Sequence, residues 1–305
     1  MIDLQLTPSQ YLQGIKRLGL LENPYAPYGD DRYFFPTEEQ VFVYKELLSS
    51  IEEKTLKNIS IVIGEASIGK TSLAKRLFHA VAVTPELLTS GIYFDDPKNT
   101  ATPAKLLKRI FLELNLPPEK NMEERIKALQ QHLQKRMREK GSSILIVVDG
   151  DMLPETIDIL FELANWFQEV DDGKGNLHKT SLVQIALFGR INASYFPLEK
   201  SAPNFIPITR FVRVLGIPKL SELMDLLEKQ ATHAGRDKDL FTREAKDLLV
   251  EASEMKPGEL ISLANQALLQ TITSRNDVVD QKIVKQILPS KKKSQMVLPG
   301  VSLLY

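Results

Sequence analysis

The stretch with the clearest chemistry is Gly64-Glu65-Ala66-Ser67-Ile68-Gly69-Lys70-Thr71-Ser72, which follows an apolar run at 59–63 and opens a helical stretch at 70–82. GxxxxGK[ST] between a strand and a helix is the pattern of a loop that cradles phosphate. Gly64 and Gly69 let the backbone curl. Successive N–H groups, those of Ser67, Ile68 and Gly69 among them, can then face phosphate oxygens at the positive end of a helix dipole. In this pattern Lys70 reaches the β- and γ-phosphates, the Thr71 hydroxyl ligates Mg²⁺, and Ser72 continues the first turn. Average composition produces the pattern by chance in about 1% of chains this long. ATP and Mg²⁺ are therefore the expected cofactors.

A second acidic element should end a buried strand, close enough to hold Mg²⁺ through water. The run SILIVV at 143–148 ends at Asp149 and supplies it. The next two residues are Gly150 and Asp151. Many phosphate-loop ATPases place Glu directly after this Asp to orient the attacking water, and a glycine cannot do so. Asp151 is the candidate substitute, with a shorter side chain in a shifted position. Binding is better supported than hydrolysis, and any turnover is expected to be slow.

These residues need a scaffold, and the surrounding pattern describes one. Short apolar runs at 59–63, 91–94, 143–148, 181–188 and 210–215 alternate with helical stretches at 70–82, 103–114, 122–139 and 154–169. Apolar strands alternating with helices imply a parallel sheet covered on both faces. Thr37 and Gln40 have capping-box spacing and open a further helix. Four amphipathic helices near 221–234, 242–254, 258–273 and 278–288 imply a small helical domain after the α/β core. The expected organisation is an aromatic, proline-rich arm at 1–36, an α/β core at 37–215, a helical lid at 216–290 and a basic-then-apolar tail at 291–305.

Composition narrows the function classes. The 305 residues carry 39 Lys+Arg against 39 Asp+Glu, so no overall field steers the chain to a polyanion. The absence of cysteine excludes disulfides, Cys-ligated metal clusters and thiol nucleophiles. Four His, at 79, 132, 178 and 233, are scattered along the chain. The start MIDLQLTPSQ lacks a signal-peptide pattern, and no run approaches the roughly 18 apolar residues of a membrane span. A cytoplasmic chain is expected.

With these parts placed, the chain resembles the AAA+ ATPases over about residues 20–290. The resemblance is to the branch of origin initiators, ExeA-type ATPases and TnsC/MuB-type transposition regulators. It is carried by NPYAPYGDDRYFFPTEEQ, GEASIGKT, the strand ending at Asp149, LFGR at 187–190, and FTREAKDLLVEASEMKPGELISLANQAL. It implies that Tyr33, Phe34 and Phe35 lie near the adenine; the residues alone equally allow rings that pack the arm onto the core. It puts the polar sensor after the fourth strand at Arg190 or Asn192, with a structural salt bridge as the alternative for Arg190. It makes Arg210 the arginine that reaches a neighbour's γ-phosphate, ahead of Arg213. The lid departs from the family pattern: where an arginine often follows the proline, this chain has Lys256-Pro257-Gly258-Glu259.

The resemblance implies a homo-oligomer, ring or filament, that assembles with ATP to recruit or regulate a partner on DNA. The other readings are a non-hydrolysing interaction protein braced by its nucleotide, and an ExeA-like secretion accessory ATPase. Lys135, Arg136, Arg138 and Lys140 form a basic helix end: either a solvated face or a sequence-tolerant contact to duplex DNA. The tail MVLPGVSLLY after the basic triplet reads as a docking segment for its own core, a neighbouring subunit or a partner protein.

Overall fold

The computed structural model describes residues 6–26, 33–95, 102–117, 121–171 and 175–288. The tail at 291–305, Pro27 to Arg32, and Asp172 to Lys174 lie outside the described residues. The chain divides into two compact units whose boundaries do not follow sequence order.

The larger unit runs to Glu222 and includes Lys256–Glu259. Its sheet holds β1 (Ile59–Gly64), β2 (Thr89–Asp95), β3 (Ser143–Asp149), β6 (Val183–Arg190) and β7 (Thr209–Leu215) in the order β2-β3-β6-β1-β7. Every pairing is parallel. Alternation of side chains explains why these runs are continuously apolar. Ile59, Ile61 and Ile63, with Ile144, Ile146 and Val148, face one cluster, packed against α4 (Pro103–Glu113), α5 (Met122–Lys140) and α6 (Pro154–Ala164). Val62, Leu145, Val147, Ala186 and Phe188 face the other, beneath α2 (Glu38–Glu53) and α3 (Lys70–Val83). Each fully buried aliphatic contributes ~2 kcal/mol.

One expected element differs. The helical stretch at 154–169 stops at Ala164, and β4 (Phe167–Asp171) pairs antiparallel with β5 (Leu177–Ser181). Phe167, Glu169 and Asp171 are exposed while Gln168 and Val170 are half-buried, the period of two that marks a strand. Apolar residues in FELANWF mask that change of period. The strand expected at 181–188 begins two residues later, because Ser181 belongs to the hairpin.

The smaller unit joins α1 (Pro8–Arg17) to α8 (Leu220–His233) from Leu223 on, α9 (Arg243–Ala252), α10 (Pro257–Thr273) from Leu260 on, and α11 (Gln281–Ile287). The N-terminal segment is therefore part of the helical unit. Tyr25 is fully buried there, with its hydroxyl donating to the Leu227 carbonyl at 2.7 Å and its ring edge-on to Phe241. At Gly14 a Cβ would come within 2.2 Å of Ile272, so only glycine allows this approach of α1 to α10. Among the described residues, no helix is long and apolar enough to cross a membrane.

Candidate nucleotide site

The C-terminal ends of the parallel strands gather the chemistry, as expected where ligands bind open α/β sheets. Gly64 ends β1 beside Arg190 of β6, and Asp149 ends β3 beside Phe188 of β6. A cavity of about 670 Å³ opens there, lined by Ser67, Lys70, Thr71, Asp149, Gly150, Asp151, Arg190 and Asn192, among others. Lys70, Thr71, Asp149, Asp151 and Arg190, widely separated in sequence, are thus brought together.

The phosphate loop is shaped by two left-handed residues, Ser67 at φ 62° and Gly69 at φ 99°. Ile68 between them is buried and anchors the loop in the cluster of Val43, Leu47 and Leu73. Gly69 caps α3, which begins at Lys70 and presents exposed Thr71 and Ser72 in its first turn. The buried Lys70 ammonium donates to the Gly64 carbonyl at 3.0 Å and to the Glu65 carbonyl. Burial pushes its pKa below the ordinary lysine value; Asp149 and Glu65 oppose that shift and Arg190 adds to it.

Two loops complete the cavity wall. The Gly150 N–H donates to the Phe188 carbonyl at 2.8 Å, and its φ of 131° is one that an L side chain rarely adopts. The glutamate expected after Asp149 is missing where this backbone favours glycine. Asp151 Oδ1 accepts from the Ser194 N–H at 2.6 Å and from the Met152 N–H at 3.1 Å. The Ser194 hydroxyl returns a bond to the Met152 carbonyl at 2.8 Å. This oxygen of Asp151 ties the loop after β3 to the loop after β6.

The 256–259 turn reaches the phosphate loop. The Gly258 N–H donates to the Ser67 carbonyl at 2.8 Å, the Ser67 hydroxyl donates to Glu259 at 2.9 Å, and Lys256 lies 3.8 Å from Glu65. At position 258 a Cβ would sit 3.1 Å from the Ser67 side chain and carbonyl. Where the resemblance led to an expected arginine, the chain makes close backbone contact with the phosphate loop.

The remaining sequence candidates fall elsewhere. Tyr33 is buried and Phe34 packs on the cluster containing Ile68; neither lines the cavity. Arg210 is the extra residue at a bulge, between Thr209 beside Ile59 and Phe211 beside Ser60. Ser60 is four steps along the strand from Gly64, so Arg210 starts about 13 Å from the phosphate loop. Its guanidinium pairs with Glu53 at 2.8 Å. Arg213 makes a two-pronged bond to Glu46, 2.6 Å on each prong, against the rings of Phe42 and Phe211. Arg136 turns inward to the Ser90 and Ser142 hydroxyls at 2.9 and 2.7 Å, which takes it out of the basic face. Gln40 was visible in the sequence only as a helix cap, yet its amide also bonds the Ile68 carbonyl.

A family model described as an AAA domain matches residues 53–194. Solved structures of low sequence identity share the overall fold. The core has the AAA+ P-loop NTPase fold. Orc1 of Aeropyrum pernix, in complex with DNA, aligns with a TM-score of 0.65 and 15% identity over 87% of this chain and 68% of that one. The Orc2 protein of Aeropyrum pernix, in ADPNP–ADP complexes, gives 0.61 and 16% over 85% and 71%. Cdc6p of Pyrobaculum aerophilum gives 0.57 and 14% over 82% and 68%. No curated protein matches the chain. The AAA+ fold implies nucleotide binding, and the donor set at the sheet end suits it. A buried ammonium suits phosphate oxygens, while one hydroxyl and one strand-end carboxylate are what a phosphate-bound Mg²⁺ takes from a protein, its other ligands being phosphate and water.

Proposed function

We propose that this chain is an ATP-binding switch that assembles with ATP, as a ring or filament, to recruit or regulate a partner on DNA. The observation that carries the reading is the convergence of Lys70, Thr71, Asp149 and Arg190 on one cavity at the sheet end. Lys70 would hold the β- and γ-phosphates, Thr71 and Asp149 the Mg²⁺, and Arg190 or Asn192 would sense the γ-phosphate. Phe34, sharing a cluster with Ile68, would border the base. Assembly would couple γ-phosphate contacts to a neighbour. Arg210 would reach that neighbour only by giving up Glu53. The DNA part of the reading draws on the DNA complex of the similar Orc1 of Aeropyrum pernix, and on Arg138 and Lys140 as backbone contacts lined up by assembly.

The test is ATP·Mg²⁺ binding together with particle mass, with and without ATP. Micromolar binding and a mass increase, both lost in Lys70→Ala, support the reading; neither effect in wild type ends it. Particle images with ATP and duplex DNA would separate ring, filament and monomer.

The second reading, a nucleotide that braces the fold without being cleaved, is favoured by Gly150 and by the backbone bonds to Asp151. Phosphate release no faster in wild type than in Asp149→Ala would support it.

A further inference from the structure

Asp149 has a partner that none of the roles above explains. Tyr93 sits on β2, beside Val147 of β3, and its hydroxyl donates to Asp149 Oδ2 at 2.9 Å. We propose that Tyr93 is a positioning residue for the metal site, fixing one oxygen of Asp149 so that the other accepts from a metal-bound water. The proposal rests on the ATP–Mg²⁺ reading of the cavity.

The ring that delivers this hydroxyl is itself held in place. A Cβ on Gly91 would lie 2.9 Å from the Phe78 ring, so glycine at 91 lets Phe78 lie close over β2. Phe78 then packs on Tyr93 with ring centroids 5.7 Å apart. Phe78 belongs to α3, the helix whose first turn carries Lys70 and Thr71. One helix therefore supplies both the metal-ligating hydroxyl and the ring that orients the tyrosine on the metal-side carboxylate.

A strand-end carboxylate can rotate about its last bond, and a fixed donor on one oxygen removes that freedom. Groups placed in this way behind a metal site orient its ligands. Burial first, and the negative charge of Asp149 second, push the Tyr93 pKa far above the ordinary tyrosine value. A tyrosine hydroxyl facing a carboxylate oxygen at this distance is the donor of the pair. The opposite role is also concrete. A hydroxyl that merely satisfies Asp149 before metal arrives would compete with Mg²⁺, and its removal would tighten metal binding.

The experiment titrates a fluorescent ATP analogue into the full chain, in EDTA and across a Mg²⁺ series, for wild type and Tyr93→Phe. The phenylalanine keeps the packing on Phe78, and melting curves verify folding. Affinity in EDTA should be unchanged, while the Mg²⁺ needed for half-maximal enhancement rises about tenfold. In an Asp149→Asn background, Tyr93→Phe should add nothing, because its effect passes through that carboxylate. An unchanged or lowered Mg²⁺ requirement overturns the proposal, as does an equal effect in both backgrounds. If wild type binds no ATP·Mg²⁺, the reading of the cavity falls with it; normal wild-type binding with an indifferent Tyr93→Phe sinks the tyrosine role alone.

Discussion

Gln40 Nε2 donates to the Ile68 carbonyl at 3.1 Å, while its Oε1 accepts from the Thr37 N–H at 3.1 Å. A single buried amide thus closes the capping box of α2 and holds the apex of the phosphate loop. It needs a donor and an acceptor together, which Gln supplies and Glu does not. A Cβ at Gly69 would lie 2.4 Å from Nε2, so the loop glycine also makes room for this strut.

Gln40→Ala should cost about 1–3 kcal/mol, the range for leaving a buried acceptor unpaired. Gln40→Glu should keep the cap yet weaken ATP binding, since a carboxylate would face the Ile68 carbonyl. Thermal melts with and without ATP check both. ATP-induced stabilisation of Gln40→Glu equal to wild type would remove the strut from the site.

The phosphate loop and Asp149 were legible because motif and strand context lie within a few residues of each other. Gln40 was half legible: its spacing from Thr37 is local, but the bond to Ile68 spans 28 residues of chain and left no pattern. Arg136 misled for a related reason. Helical spacing grouped it with Arg138 and Lys140, and only the fold brings Ser90 and Ser142 to its guanidinium. The hairpin at 167–181 was hidden because Leu163, Ala164, Trp166 and Phe167 carry apolar character from helix into strand across Asn165, and the change of period spans only five residues.

Gly258 offers a sharp test of the missing arginine. If a phosphate-sensing arginine had merely been lost at this position, Gly258→Arg would restore it and tighten ATP binding. Here the Gly258 N–H bonds the Ser67 carbonyl, and a Cβ would be crowded at 3.1 Å against a residue already at φ 62°. Gly258→Arg should therefore weaken binding, and Gly258→Ala should do so in the same direction. Tighter ATP binding by Gly258→Arg in equilibrium titration would reverse this argument.

Asp151 separates brace from base. Asn in its place keeps an acceptor for the Ser194 and Met152 N–H groups but cannot take a proton from water. A brace predicts that Asp151→Asn keeps the wild-type melting temperature and phosphate-release rate, while Asp151→Ala loses about 1–3 kcal/mol of stability. A base predicts that both substitutions stop release and leave stability nearly intact. Release rates and melts on the same samples decide between them.

Lys70 makes nucleotide binding a proton-linked event. Burial holds its pKa below the ordinary value of about 10.4. An adjoining triphosphate would favour the charged form and raise that pKa. A group whose pKa rises on binding takes up protons between the two values, so affinity must fall as pH climbs through that window. Calorimetry of ATP binding at alkaline pH, in buffers of different ionisation enthalpy, should show net proton uptake that fades toward neutral pH. Lys70→Arg should abolish the uptake, because guanidinium stays protonated throughout. Uptake of equal size in Lys70→Arg would move the linkage to another group.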